Sequence, residues 1–163
     1  MRGMRIGQGF DVHRIRAGRP LKLCGSMLPG EAGLDGHSDA DVGLHAVTDA
    51  ILGALARGDI GEHFPDSDSR WREADSEVFV TRAIEMAAAD GFVLVNCDLT
   101  FVGERPRIAP HRERLRDALA EILGVSRSVV SVKATTTEGL GFVGRSEGLA
   151  ALAVVLLEER QDE

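Results

Sequence analysis

Hydrophobic positions along the chain follow two spacings, one typical of strands and one typical of helices. Short apolar or alternating stretches, which predict strands, are the segments 4–13, 21–24, 92–102, 129–136 and 149–157. Longer stretches with apolar residues three and four apart, which predict helices, are 42–57, 75–89 and 110–123. Gly58 is expected to end the first helix. The predicted order of elements is therefore β-β-α-α-β-α-β-β.

These elements predict an α/β (α+β) sandwich, a mixed β-sheet with helices packed on one face. The strand 92–102, the helix 110–123 and the strand 129–136 fit a right-handed crossover unit. Val12 is expected to point into the core. One face of the strand 92–102 should carry Val93, Val95, Cys97, Leu99 and Phe101. Because the segment 149–157 is apolar on both faces, the second face of the sheet must also be covered, and oligomerisation is the simplest candidate.

Composition narrows the class of protein. The 163 residues predict a single domain over 1–163, and the 44% hydrophobic and 28% charged residues are those of an ordinary globular protein. A net charge of −7 without a basic stripe argues against a nucleic acid partner. The N-terminal residues predict neither a signal peptide nor a membrane span, so a cytoplasmic location is expected. Cys24 and Cys97 are expected to be small buried residues in a reducing compartment.

A first candidate site combines the first strand with the first helix. Asp11 and His13 are two apart on a strand and project together, while Asp41, His45 and Asp49 share one helical face. Asp11, His13 and His45 would form a three-ligand set with an open fourth position, as in catalytic zinc sites. Asp49 would accept the second ring N–H of His45. The alternative is a capped helix with a solvent-facing histidine.

Three further segments suit phosphate binding, and each has a plainer interpretation. His37 and Ser38 precede the first helix, whose positive end favours an anion, but Ser38, Asp39 or Asp41 could simply cap that helix. The threonines and glycines of 133–142 can hydrogen-bond phosphates or sugar, or can belong to a strand that leaves the sheet. The segment 103–109 lies between strand and helix, where ligands often bind, or is a solvated turn.

Taken together, these segments resemble one known family. The matching stretches are GFDVH at 9–13, GHSDADVGLHAVTDAILGA at 36–54, GDIGEHFPDSD at 58–68 and VKATTTEGLGFVGRSEG at 132–148. They cover almost the whole chain in order, and they are similar to the 2-C-methyl-D-erythritol 2,4-cyclodiphosphate synthases of non-mevalonate isoprenoid biosynthesis. The resemblance implies a homotrimer of α/β subunits whose sheets surround the threefold axis, with active sites between neighbouring subunits.

The resemblance also implies a reaction and a metal requirement. The expected substrate is 4-diphosphocytidyl-2-C-methyl-D-erythritol 2-phosphate, and the products are the cyclic diphosphate and CMP. One divalent metal per subunit, Zn²⁺, would bind Asp11, His13 and His45. A second divalent ion, Mg²⁺ or Mn²⁺, would bridge the substrate phosphates, with Glu138 as the matching carboxylate.

Roles for other residues follow from the same resemblance. His37 and Thr136 correspond to stabilisers of the transition state. Substrate contacts are implied for Asp11, His13, His37, Ser38, Asp59, Ile60, Gly61, Phe64, Pro65, Asp66, Ser67, Asp68, Gly103, Glu104, Arg105, Pro106, Arg107, Ile108, Ala109, Thr135, Thr136, Thr137, Glu138, Phe142 and Arg145. The chain departs from the usual pattern at three positions, which are Gln8 in place of His, Arg107 in place of Lys and Gly139 in place of Lys.

Two other functions remain open from the residues themselves. A metal-dependent phosphohydrolase would use the same metal with a bound water and release a linear monophosphate. A non-catalytic module for isoprenoid diphosphates would use Phe10, Phe142 and Arg145 to line a pocket on the trimer axis.

Overall fold

The computed structural model describes residues 3–161. Its strands are β1 (Met4–Arg16), β2 (Leu21–Leu23), β3 (Ser26–Leu28), β4 (Gly33–Leu34), β5 (Phe92–Val102), β6 (Val130–Thr135) and β7 (Gly148–Glu159). Its helices are α1 (Val42–Ala54), α2 (Ile60–His63), α3 (Glu77–Ala89), α4 (Arg112–Leu123) and α5 (Gly141–Gly144). Short 3₁₀ turns cover Ser69–Trp71, Ala109–His111 and Arg127–Val129. The predicted order holds for the long elements, and the sequence pattern did not reveal β3, β4, α2 or α5.

A five-stranded mixed sheet has the order β4-β1-β7-β5-β6, and β2 pairs with β3 in a separate hairpin. β5 and β6 are parallel, as the crossover predicted, whereas β7 is antiparallel to both β1 and β5. The main apolar core lies between the sheet and α1, α3 and α4, with Leu99, Phe101, Leu115 and Leu119 fully buried. The predicted mixed sheet with helices on one face is confirmed.

The opposite face of the sheet is apolar and open in the single chain. Ile6 is 73% exposed, Phe10 52% and Val154 43%. Val12, predicted to point into the core, is on this face too and is 38% exposed. The prediction for Val12 was wrong because Asp11 and His13 occupy the helix-covered side, and alternate residues of a strand point to opposite faces.

A β-bulge at Val95 changes the predicted pattern of β5. Leu94 pairs with Leu157 and Asn96 with Leu156, which leaves Val95 as an extra residue. Phe92 is therefore buried and Leu94 packs against the core, whereas the predicted core position was Val93. Cys97, Leu99 and Phe101, which follow the bulge, are buried as expected.

Helix α1 is shorter than predicted and ends at Ala54. Leu55 donates to the carbonyl of Ile51, and Ala56 adopts a left-handed conformation with φ 55°, so the helix stops before Gly58 is reached. Within the described part of the chain, no helix has the length and apolar character needed to cross a lipid bilayer. Cys24 and Cys97 are both free and buried, as expected.

Candidate active site

Two glycines of β1 allow α1 to lie directly on the strand backbone. Gly7 and Gly9 face the helix, and a Cβ at Gly9 would lie 1.9 Å from the carbonyl oxygen of Ala46. At Gly7 the corresponding distance to the Ala50 oxygen is 1.7 Å, so neither position can carry a side chain. Because strand residues two apart share a face, the next residues on this face are Asp11 and His13. The first turns of α1 are therefore held against the segment that carries both side chains.

His45 of α1 completes a cluster with Asp11 and His13. The Asp11 Oδ2 atom lies 2.9 Å from His13 Nε2 and 3.0 Å from His45 Nδ1, and the two ring nitrogens are 3.1 Å apart. Ligands of a tetrahedral zinc ion are separated by about 3.3 Å, since each bond is roughly 2.0–2.1 Å long. These three side chains form the one group of potential metal ligands found among residues 3–161. Their donor atoms and spacing fit a single divalent metal.

The outer nitrogen of each histidine faces a different partner. His13 Nδ1 lies 2.7 Å from the carbonyl oxygen of Asp35, so Nδ1 carries a proton and Nε2 offers a lone pair to the cluster. His45 Nε2 lies 2.8 Å from Ser76 Oγ and 3.0 Å from Ser38 Oγ. The proposed bond from His45 to Asp49 was therefore wrong.

Asp49 has a different task at the end of the helix. Its Oδ1 accepts the backbone N–H of Ile60 at 2.7 Å, which ties α1 to the start of α2. The amide of Ile60 is at a helix N-terminus, where it has no acceptor within the helix. It therefore takes the Asp49 carboxylate that was predicted to bind His45. Asp49 thus positions the segment that follows α1 rather than the ring of His45.

The cluster is electrostatically matched to a cation. Burial opposes ionisation of Asp11, but hydrogen bonds and charge from His13 and His45 outweigh it and hold the pKa of Asp11 well below its usual range. Burial likewise disfavours the charged form of His13, yet the bond to Asp11 raises the pKa of His13 overall. A metal here requires both outer nitrogens to carry the proton, because three lone-pair atoms then face one another around a cation.

The residues before α1 form a rigid turn rather than an open anion site. Asp41 caps the helix by accepting from the amide of Leu44 at 3.1 Å, and it also accepts from Cys24 and Gly25 at 3.0 and 2.8 Å. Burial raises the pKa of Asp41 to about 6, although these bonds oppose the shift. The predicted N-capping is present, and of the three candidates Ser38, Asp39 and Asp41 it is Asp41 that provides it. A carboxylate therefore already occupies the positive end of α1.

The turn that carries His37 is held in place by hydrogen bonds to three successive carbonyl oxygens. Arg19 donates to the oxygens of Gly36 at 3.0 Å and Ser38 at 3.2 Å. The oxygen of His37 accepts from the amide of Glu73 at 2.7 Å. With its backbone fixed on both sides, the exposed His37 ring extends into the same pocket as the cluster.

This pocket has a volume of about 430 Å³. The predicted site residues fall into two sets, and most of the first set lines this pocket. An aromatic group forms part of its wall, where Phe64 lies 4.7 Å from Phe79 and 5.2 Å from Trp71 between ring centroids. The predicted residues that line it are Asp11, His13, His37, Ser38, His45, Ile60, Gly61, Phe64, Pro65, Asp66 and Ser67. Asp59 and Asp68 are outside the lining, because they cap α2 and the following 3₁₀ turn.

A second set of predicted residues lies elsewhere, on the segments that follow β5 and β6. Glu104 joins the two segments by accepting from the amides of Thr137 and Gly139, each at 3.3 Å. Thr136 Oγ1 donates to Glu138 Oε1 at 3.2 Å. The set comprises Gly103, Glu104, Arg105, Pro106, Arg107, Ile108, Ala109, Thr135, Thr136, Thr137 and Glu138. Phe142 and Arg145 follow on and beside α5, and both are exposed.

The strand register shows how far apart the two sets are. Asp11 pairs with Ala151, Ala151 with Phe101, and Phe101 with Ala134. Both sets therefore lie at the same end of the sheet, but three strand spacings, roughly 14 Å, separate β1 from β6. None of the second set lines the pocket around Asp11. Within one chain, the structure does not bring the two sets together.

Comparison with known proteins identifies the family. The sequence profile of the YgbB family matches residues 4–158. The chain belongs to the YgbB family. It is 57% identical over 157 residues to 2-C-methyl-D-erythritol 2,4-cyclodiphosphate synthase of Geobacter sulfurreducens, and the match covers 96% of this chain and 100% of that protein. The resemblance seen in the motifs is confirmed.

Longer proteins and solved structures are also similar to this YgbB-family chain. The bifunctional enzyme IspD/IspF of Hyphomonas neptunium is 58% identical over 153 residues, covering 94% of this chain and 40% of that protein. The chain thus spans about two fifths of such bifunctional relatives. A solved 2C-methyl-D-erythritol-2,4-cyclodiphosphate synthase in a CDP-bound form has a TM-score of 0.87 and 42% identity, covering 94% of this chain and 99% of that one.

Several residues of the YgbB-family pocket were not identified from the sequence. Trp71 and Phe79 line it, and Ser76 contacts the metal-type cluster. The segment 59–74 carried no periodic signal, so nothing placed Trp71 near the site. Gly7 and Gly9, at a spacing of two before Asp11, were the available signal for the close approach of α1.

Proposed function

We propose that the chain converts 4-diphosphocytidyl-2-C-methyl-D-erythritol 2-phosphate into 2-C-methyl-D-erythritol 2,4-cyclodiphosphate and CMP, in isoprenoid precursor biosynthesis. The observation that carries the proposal is the convergence of Asp11, His13 and His45 in a pocket with His37. It is supported by 57% identity over the full length of a relative named for this product. We treat residues 1–163 as a single domain with this activity.

The reaction needs charge neutralisation and positioning more than a protein nucleophile. An oxygen of the substrate's 2-phosphate attacks the β-phosphorus of the diphosphate, and a new P–O bond forms. The bond from that phosphorus to the bridging oxygen breaks, and CMP leaves with the bridging oxygen. Both reacting groups belong to one molecule, so the enzyme has to hold it folded and to balance its negative charge.

Asp11, His13 and His45 would hold one Zn²⁺, whose ligand geometry their spacing fits. When bound, zinc supplies positive charge that polarises a phosphate oxygen. Glu138 would assist a second ion, Mg²⁺ or Mn²⁺, which relies mainly on the phosphates of the substrate. Oxygen ligands suit these harder ions, whereas the histidine pair suits zinc.

The pocket residues bind the substrate and keep water out. His37 extends from a turn whose carbonyl oxygens accept hydrogen bonds from Arg19 and Glu73, so its ring is already placed for a phosphate. Ser38, beside it in the pocket lining, would add a further contact. The segment from Asp59 to Asp68 would contact the erythritol and its phosphate. The aromatic wall beside it would shield part of the bound substrate from water, which would favour cyclisation over hydrolysis.

A homotrimer with active sites between subunits would complete the site. The apolar face that includes Ile6, Phe10 and Val154 is too exposed for a monomer and would be covered around a threefold axis. A neighbouring subunit could then supply the segments 103–109 and 135–138, with Phe142 and Arg145, to the pocket of the first. These segments would then form the cytidine and phosphate pocket. A solved structural neighbour in a CDP-bound form supports a cytidine-containing small-molecule ligand for the chain.

Phosphorus NMR of the purified protein with this substrate and Zn²⁺ and Mg²⁺ tests the proposal. We expect a cyclic diphosphate and CMP in equal amounts, and a His45→Ala variant should lose the activity by a factor of at least about 100. A linear monophosphate product would instead identify a phosphohydrolase. A wild type that binds an isoprenoid diphosphate but does not turn over the substrate would identify the non-catalytic binding module.

A further inference from the structure

The outer nitrogen of His45 faces a buried hydroxyl. His45 Nε2 lies 2.8 Å from Ser76 Oγ, and Ser76 is 0% exposed at the N-terminus of α3. Ser38 Oγ is also near, at 3.0 Å, and accepts the amide of Ala40. Because a hydroxyl can donate or accept, the distance alone does not say which group of the His45–Ser76 pair carries the proton.

The hydrogen bonds of Ser76 settle the direction. Its hydroxyl donates to Asp39 Oδ1, a carboxylate that can only accept when ionised. A hydroxyl has a single proton, so Ser76 must accept from His45 Nε2. His45 Nε2 is therefore protonated, and Nδ1 keeps its lone pair.

Asp39 is held ionised by a surrounding set of donors. Lys22 Nζ lies 3.2 Å from Asp39 Oδ2, and the backbone amides of Ser76 and Asp41 each donate to the carboxylate at 3.2 Å. Lys22 also pairs with Asp75, and its side chain is only 14% exposed. Burial works against the charge, but the bonds from Ser76 and the charge of Lys22 lower the pKa of Asp39 overall.

The opposite tautomer of His45 has a competing partner. Asp11 Oδ2 lies 3.0 Å from His45 Nδ1, and a proton on Nδ1 would make a good hydrogen bond to that carboxylate. Such a proton would occupy the position that a metal needs. The Ser76 hydroxyl and the Asp11 carboxylate thus draw the same proton to opposite nitrogens.

We propose that Ser76 and Asp39, backed by Lys22, are positioning residues that hold His45 in the tautomer with Nδ1 free for a metal. Three elements that supply none of the ligands, which are β2, the turn before α1 and the start of α3, therefore control one ligand atom. The inference rests on the proposed metal centre, but it concerns residues that touch neither metal nor substrate. Partners of this kind typically change metal affinity by about 10–100-fold.

Zinc affinity, measured without substrate by competition with a chromophoric chelator, tests the inference. We expect Ser76→Ala to raise the Kd for Zn²⁺ by about 10-fold or more, and Asp39→Asn to raise it less, since the hydroxyl remains. Ser76→Thr, which keeps the hydroxyl, should recover most of the affinity. Ser126→Ala, which removes a serine hydroxyl at the start of a 3₁₀ turn far from the cluster, is the control and should leave the Kd unchanged.

Long-range ¹H–¹⁵N NMR of the metal-free wild type provides a second measurement that needs no variant. At a pH where His45 is neutral, we expect its proton on Nε2, and in Ser76→Ala on Nδ1. A wild-type proton on Nδ1, or a Ser76→Ala variant that binds zinc as tightly as the wild type, overturns the inference. A wild type that binds no zinc would instead overturn the proposed metal centre, so the two failures are distinguishable.

Discussion

The pocket around Asp11 and the segments after β5 and β6 differ in how much of their structure the single chain supplies. In the pocket, the ligand atoms lie within about 3 Å of one another, and contacts with buried elements fix both histidines. The segment 135–138 is mostly exposed and 103–109 is exposed in part, and the two are held by bonds to each other, mainly through Glu104. The single chain thus supplies every donor atom of the cluster, whereas several side chains of the other region are left exposed.

The largest effect should come from Gly9→Ala, which tests whether packing within the chain sets the pocket. The new Cβ would lie 1.9 Å from a backbone oxygen of α1 that no side-chain rotation can move. We expect a loss of about 3 kcal/mol or more in the free energy of unfolding, together with loss of zinc binding. Denaturant titration and metal analysis measure both.

Gly53→Ala, in the helix α1 that packs on Gly9, is the control. Its Cβ would be 3.7 Å from the nearest atom, which is ordinary contact, and the residue is exposed. Because alanine favours a helix more than glycine does, stability should rise by about 0.5–1 kcal/mol. Equal damage from both substitutions would show that the close approach of α1 to β1 is unimportant.

Asp41→Ala should have the next largest effect. It removes the acceptor of three backbone amides, those of Leu44, Cys24 and Gly25, and leaves donors unpaired in a buried place. We expect a loss of about 3 kcal/mol in unfolding free energy. Asp59→Ala removes an exposed cap with one such bond and should cost about 0.5–1 kcal/mol. If the two losses were alike, the turn before α1 would not depend on its buried carboxylate.

Mixing two inactive variants sharpens the comparison directly. His45→Ala damages only the pocket around Asp11, and Thr136→Ala damages only the segments that follow β5 and β6. If neighbouring subunits supply the two parts, equal co-assembly of the variants should restore about a quarter of wild-type sites by random pairing. Activity assays after co-refolding measure the recovery. No recovery in assemblies shown to be mixed would mean that one chain provides both parts.

The smallest effect should come from Arg107→Lys in the exposed segment. Charge is kept and only the hydrogen-bonding geometry changes, so we expect a change of a few-fold in KM, an unchanged kcat, and stability within about 0.5 kcal/mol of the wild type. Steady-state kinetics and thermal unfolding are the checks. A large fall in kcat would place Arg107 at the reacting phosphates rather than at the cytidine end of the substrate.

The sequence predicted those features that depend on spacing along one element. Asp11 and His13 two apart on a strand, with a histidine on the following helix, suggested the cluster but left a capped helix with a solvent-facing histidine as the alternative. The burial of His45 decides against that alternative. The partner of His45 was missed because Ser76 is 31 residues away and its position depends on tertiary packing. Tertiary structure also explains the two other errors. Asp49 was assigned to His45, but it accepts a hydrogen bond from the amide of Ile60. Val93 was placed on the wrong face of β5 because the bulge at Val95 reverses the alternation.

The rates at which the two buried cysteines are alkylated can report local and global unfolding of this protein. Burial raises the pKa of the Cys97 thiol to about 12 and that of Cys24 well above its usual range, so neither reacts readily while covered. Cys97 lies in the central sheet, whereas Cys24 lies in the hairpin beside the turn before α1. Alkylation of Cys24 ahead of Cys97 would report local release of that turn, and simultaneous labelling would report global unfolding. The protein thus carries its own reporters for separating damage to the pocket from damage to the fold.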